Sequence, residues 1–168
     1  SSMTGHLVLS TVHTNDSAST VTRMCDFGIE PFQLSSTLLG IVATRLVRRL
    51  CPYCRVIHNP SAYDLELIDL TLKDLGGRKI YQAGPGCDKC FNLGYMGRIG
   101  VYELLVLDDE MKELIAKTQD SNVIKKRALK KGMKTLRDSA VDRVLAGITS
   151  IDEAITRTQT DELEIEVV

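Results

Sequence analysis

A mixed α/β fold, interrupted by a four-cysteine insertion and followed by a helical carboxy-terminal region, is what this sequence predicts, on three observations. A short apolar β-prone run, His6-Leu7-Val8-Leu9-Ser10-Thr11-Val12, precedes a polar turn and then a stretch of helical periodicity. Two Cys-x-x-Cys pairs, Cys51 with Cys54 and Cys87 with Cys90, bracket residues 55–86. Beyond residue 107 the apolar positions recur at helical spacing.

Taken in order, residues 6–12 read as a buried strand of a parallel sheet, ending in His13-Thr14-Asn15-Asp16. Asn15 or Thr14 can cap a helix over about 16–27, where Ala18, Val21, Met24 and Cys25 share a face and Gly28 closes it in a left-handed conformation. Cys25 is therefore a packed core thiol. Pro31 suits the first turn of a second helix whose stripe is Leu34, Leu38, Ile41 and Val42. Residues 46–50 read as a short strand or helix end. Inside the insertion, Leu65, Ile68 and Leu72 suggest a short helix, Gly76-Gly77 a break, Lys79 to Gln82 a small strand, and Gly84-Pro85-Gly86 a turn. Residues 97–106 resume a β-like run. Three helices follow, over Asp109 to Lys117, after Asp120 or Ser121, and over about 136–146, with a last short one after Ser150. Thr135 with Asp138 and Ser150 with Glu153 have capping-box spacing. Residues 161–168 have no clear partner and are expected to be frayed or weakly paired.

Composition narrows the function. The chain has 168 residues, 43% of them hydrophobic, enough to fill a core. Lys and Arg total 21 against 22 Asp and Glu, and aromatics are 5% with no Trp, which disfavours a nucleic-acid surface. Two basic clusters stand out: Arg45, Arg48, Arg49 and Arg55, suited to partner or phosphate contacts, and Lys125, Lys126, Arg127, Lys130, Lys131 and Lys134, suited to a solvated helix face. No signal peptide or membrane span is visible, so a reducing cytoplasm is expected.

In that compartment two facing Cys-x-x-Cys turns supply a tetrahedral thiolate cage for zinc, with four sulfurs and no position left for water or substrate. The site would be structural. Disulfides, a redox pair, rubredoxin-like iron and a Cys₃His variant using His58 are the alternatives; His6 receives no role.

Five blocks carry a family resemblance. Thr4-Gly5-His6-Leu7-Val8-Leu9-Ser10-Thr11-Val12-His13-Thr14-Asn15-Asp16 resembles the histidine box of the secretion ATPase superfamily, the hexameric motors of type II secretion and type IV pilus assembly. Arg45 to Cys54, the Cys87 and Cys90 pair, and Gly94-Tyr95-Met96-Gly97-Arg98-Ile99-Gly100-Val101-Tyr102-Glu103-Leu104 resemble the carboxy-terminal half of the same family, as does Leu145-Ala146-Gly147-Ile148-Thr149. The likeness runs to about residue 158. The tetracysteine insertion points to the secretion and pilus-assembly branch, since pilus-retraction relatives generally lack it.

The resemblance implies the carboxy-terminal part of a RecA-like P-loop ATPase domain. Residues 1–50 would be the second part of the core, 51–93 the zinc insertion, 94–107 a return strand and 108–168 a helical subdomain and tail. The parent would bind ATP and Mg²⁺, form a homohexamer, dock on inner-membrane platform proteins, and lie at the cytoplasmic face of the bacterial inner membrane. His13 would sense the γ-phosphate; Arg98 would approach nucleotide or hold the insertion to the core through carboxylates. No Gly-x-x-x-x-Gly-Lys-Ser/Thr loop occurs in the chain, so on its own it is expected to hydrolyse nothing. A zinc-ribbon-like nucleic-acid-binding or protein-interaction module is the alternative function.

Overall fold

Asp16, rather than Thr14 or Asn15, starts the first helix. Its carboxylate accepts the Ser19 amide at 2.8 Å, and α1 runs Ser17–Asp26 with Ala18 and Val21 buried. Gly28 ends it at φ 85°, its N–H donating to Cys25 O at 2.8 Å. The computed structural model describes residues 1–158, so the expectation for 161–168 lies outside the described residues. These fall into two units, Ser1–Ala43 with Glu103–Thr135, and Thr44–Tyr102 with the chain from Leu136 onward.

In the first unit the apolar run before α1 does not form the predicted strand. Residues 6–14 carry neither helix nor strand, and Leu9 is 89% exposed. β propensity describes a side chain's fit to a pleated, half-buried surface, and no strand among the described residues pairs with this one. The second helix is also shorter than its apolar stripe suggests. α2 spans Pro31–Thr37 with Pro31 in its first turn, and Leu38 is already extended. The β-branched Ile41, Val42, Thr44 and Val47 favour a strand, and β1 covers Gly40–Leu50.

The Tyr95–Val106 strand, called β4 in chain order, neighbours β1. Leu107 N–H donates to Leu39 O at 3.1 Å and, at the other end, Cys51 N–H to Gly94 O at 2.9 Å, so the strands are antiparallel, not part of a parallel sheet. α5 (Asp109–Lys117) and α6 (Ser121–Lys130) follow, capped by Asp108 and Asp120. The core gathers Val21, Leu34, Leu105, Met111, Ile115 and Ile124, with Cys25 partly buried against it, as expected of a core thiol.

In the second unit β2 (Val56–His58) pairs antiparallel with β3 (Ile80–Gln82), Ile57 opposite Tyr81. Between them lie two short helices rather than one, α3 (Ala62–Glu66) and α4 (Leu72–Leu75). Ser61 and Asp64 form a reciprocal box that starts α3, and Asp69, at φ 54°, breaks the helical path before α4. α7 (Leu136–Leu145) packs on α8 (Ile151–Thr158). Buried Val47, Leu65, Ile68, Ile80, Ala140, Val144 and Ala154 fill this unit. Among the described residues no helix is long and apolar enough to cross a membrane.

Candidate metal centre

Cys51 leaves the end of β1, and its carbonyl accepts the Arg55 amide at 2.9 Å, closing the first knuckle. The second knuckle is a 3₁₀ turn over Asp88–Cys90, after which Phe91 and Asn92 take left-handed conformations at φ 52° and 59°. Asn92 N–H returns to Cys87 O at 3.0 Å. The two knuckles touch at glycine. A Cβ on Gly84 would lie 1.7 Å from Cys54 O, and Gly86, at φ 98°, would put one 2.5 Å from Asn92 Cα.

The four sulfurs lie within 4.8 Å of one another. Cys51 to Cys87, Cys54 to Cys90 and Cys87 to Cys90 are each 3.8 Å. A tetrahedron with metal–sulfur arms of about 2.3 Å has edges of about 3.8 Å, so the cage has the dimensions of a zinc tetrathiolate. A disulfide needs a sulfur separation of about 2.05 Å, and all five cysteines are free. His58 is not a ligand: it pairs with Asp64 at 3.7 Å, and the Cys₃His alternative falls.

The sulfurs are electrically unlike. At Cys90 burial opposes ionisation, but the Cys87 and Gly94 amides, each 3.3 Å from Sγ, outweigh it and bring the thiol down to about 6. At Cys54 burial and the neighbouring sulfurs act together and push the thiol up to about 12. Crowded thiolates repel one another, and a divalent cation at their centre removes that penalty.

Two arginines of the first basic cluster, Arg48 and Arg55, make contacts beside the knuckles. Arg55 donates to Gly147 O and lies over the Tyr81 ring, 4.2 Å from its centroid. Arg48 stacks on Tyr95 and donates to Glu153 through Nε at 2.8 Å, while its backbone N–H reaches the same carboxylate at 2.9 Å. Glu153 is 2% exposed; burial would raise its pKa, yet Arg48 and Arg157 hold it below the ordinary glutamate value. The Ser150 hydroxyl accepts the Glu153 amide at 3.3 Å, so half of the predicted capping box forms. The carboxylate goes to Arg48. In the second basic run Lys125 pairs with Asp16, and Arg127 and Lys131 pair with Glu110.

The other predicted site residues, His13 and Arg98, are not members of the cysteine cluster. His13 is exposed on the irregular segment before α1, not at the end of a parallel strand. Arg98 is exposed on β4 and pairs with no carboxylate among the described residues, so it does not hold the insertion that way. Two buried carboxylates had been given no site role by sequence reasoning. Glu153 was visible only as a capping-box residue, and Glu103 only within the Gly-Arg-x-Gly-x-Tyr-Glu block.

Comparison with known proteins supplies the family. The family model described as type II/IV secretion system protein matches residues 1–156. The chain is 42% identical over 156 residues to the type IV pilus assembly ATPase PilB of Thermus thermophilus, covering 93% of this chain and 17% of that protein. It is 42% identical over 158 residues to the type II secretion system ATPase E of Vibrio cholerae, covering 94% of this chain and 31% of that protein. The type IV pilus assembly ATPase TfpB of Acinetobacter baylyi is 42% identical over 154 residues, 91% of this chain and 26% of that protein. The chain thus spans less than a third of each of these three relatives. With its match across residues 1–156, it belongs to the type II/IV secretion system protein family.

Proposed function

We propose that this chain is the carboxy-terminal part of a hexameric, RecA-like P-loop ATPase that powers type II protein secretion or type IV pilus assembly, with structural zinc on Cys51, Cys54, Cys87 and Cys90. The observation that carries it is the family match over residues 1–156, joined by identities of 42% to both a secretion and a pilus ATPase. That equality leaves the two machines equally served. Residues 1–50 and 94–107 belong to the ATPase core, 51–93 to the zinc insertion and 108–168 to the helical region. The motor works at the cytoplasmic face of the bacterial inner membrane, docked on platform proteins.

Zinc stabilises the insertion and takes no part in the reaction, since four thiolates complete its shell. In the intact motor, ATP with Mg²⁺ supplies the phosphoryl group that is transferred to water. His13 donates a hydrogen bond toward the γ-phosphate, and α1, starting at Ser17, carries the change when that phosphate leaves. Its exposed position leaves the imidazole available for that contact. Arg98, exposed and without a carboxylate partner among the described residues, is available to nucleotide or to a neighbouring subunit.

The test is His13→Ala in the full-length ATPase. Turnover should fall about tenfold or more with KM changed little, as for a contact made in the transition state. Unchanged turnover together with unchanged secretion or pilus assembly would falsify the sensor role. The chain alone should show no hydrolysis above buffer.

A further inference from the structure

Glu103 is a buried carboxylate that the function proposed above does not use. It lies on β4, 1% exposed, and its Oε1 accepts both the Ser17 N–H, at 2.9 Å, and the Ser17 hydroxyl. Ser17 is the first residue of α1, four positions after His13. First-turn amides of a helix lack intrahelical acceptors and favour an anion. Here the chain's own carboxylate fills that place. Two further bonds hold the same turn: Lys125 Nζ from α6 reaches Asp16 Oδ2 at 2.8 Å, and the Thr14 and Thr20 hydroxyls meet at 2.8 Å.

His13 projects from the backbone immediately before this pinned turn. We propose that Glu103 is a positioning residue for His13: by satisfying both Ser17 donors it fixes the first turn of α1, and with it the direction from which the imidazole meets a phosphate. This rests on the reading of His13 as the phosphate sensor. It adds a restriction, because Glu103 already occupies the amide at the start of α1. The phosphate is therefore met by the His13 side chain and not by the Ser17 N–H. Without Glu103, the Ser17 N–H is left unpaired and its hydroxyl keeps only the Met133 sulfur at 3.8 Å, so the turn is free to relax toward other acceptors.

The experiment is a double-mutant cycle on steady-state ATP hydrolysis by a full-length ATPase carrying this sequence. Glu103→Ala should lower kcat about tenfold or more while KM stays within about threefold. Glu103→Gln, whose carbonyl oxygen can accept the same donors, should return kcat to within about threefold of the parent. In a His13→Ala background, Glu103→Ala should cost nothing further, because a residue acting only through His13 has nothing left to position. Where Glu103→Ala does not fold, Ser17→Ala removes only the hydroxyl donor. It should give about a threefold loss of kcat that also vanishes in the His13→Ala background. Multiplying effects, or full turnover in a folded Glu103→Ala enzyme, would overturn the positioning role alone. Full turnover in His13→Ala would overturn the sensor reading first and this role with it.

Discussion

The cysteine knuckles and the His13 segment make an instructive pair. Both are short, irregular stretches beside regular elements, and both were singled out as chemistry. The knuckles converge four sulfurs on one point, with amides, glycines and stacked arginines built around them. The His13 segment is the reverse: its anchors at Asp16 and Ser17 are buried, while the imidazole stands in solvent. A metal site is completed by its own ligands, whereas an exposed imidazole is left open, as the sensor role proposed for His13 requires.

Removing the metal should have the largest effect. Structural zinc contributes about 10–16 kcal/mol of apparent binding free energy in small domains, so chelation should expose residues 51–93 to hydrogen exchange before the first unit responds. Protection of 51–93 that survives in demonstrably metal-free protein would break the comparison. Next comes Arg48→Met, which leaves the Glu153 carboxylate buried without its main partner and should cost about 3–4 kcal/mol in denaturant unfolding. Glu153→Gln should cost less, because Arg48 is half exposed and can turn to water.

Lys125→Met sharpens the other side, loosening the turn under His13 by about 1–3 kcal/mol while zinc content, read by metal analysis, stays unchanged. The same pairs set an acid dependence. Burial would raise the Asp16 carboxyl, but Lys125 and the Ser19 donors hold it below its ordinary value, as Arg48 does for Glu153. A depressed folded pKa contributes stability that is complete above the ordinary carboxylate value and lost as pH falls through the folded one. Unfolding free energy should therefore decline below about pH 4, and Lys125→Met should flatten that decline. The smallest effect should be His13→Ala on the stability of the chain itself, within about 0.5 kcal/mol by thermal unfolding.

What was legible in the sequence was what short-range chemistry determines. The Cys-x-x-Cys spacing identified all four sulfurs, because each pair is set by a single turn. Asp109–Lys117 was read to the residue from its amphipathic spacing. The failures share a cause in partners far along the chain. Residues 6–12 look like a strand but pair with nothing described, and Ile41 and Val42 look helical until β4 pairs alongside. β2 was missed because three residues signal little without β3. Glu153 reads as a capping-box residue and Glu103 as part of a motif block until Arg48 and Ser17, 105 and 86 positions away, are seen beside them.

The close approach of Gly84 to the Cys54 carbonyl also bears on assembly. The segment leading to the second knuckle can pack against the Cys51–Cys54 turn only where no side chain intervenes. A metal arriving early meets two ligands on that local turn. Gathering the other two means closing the loop of residues 55–86, at a chain-entropy cost of about 3 kcal/mol before any constant term. Metal capture should therefore proceed in two kinetic steps, a fast bidentate one and a slower closure, and a bulkier residue at position 84 should arrest it between them.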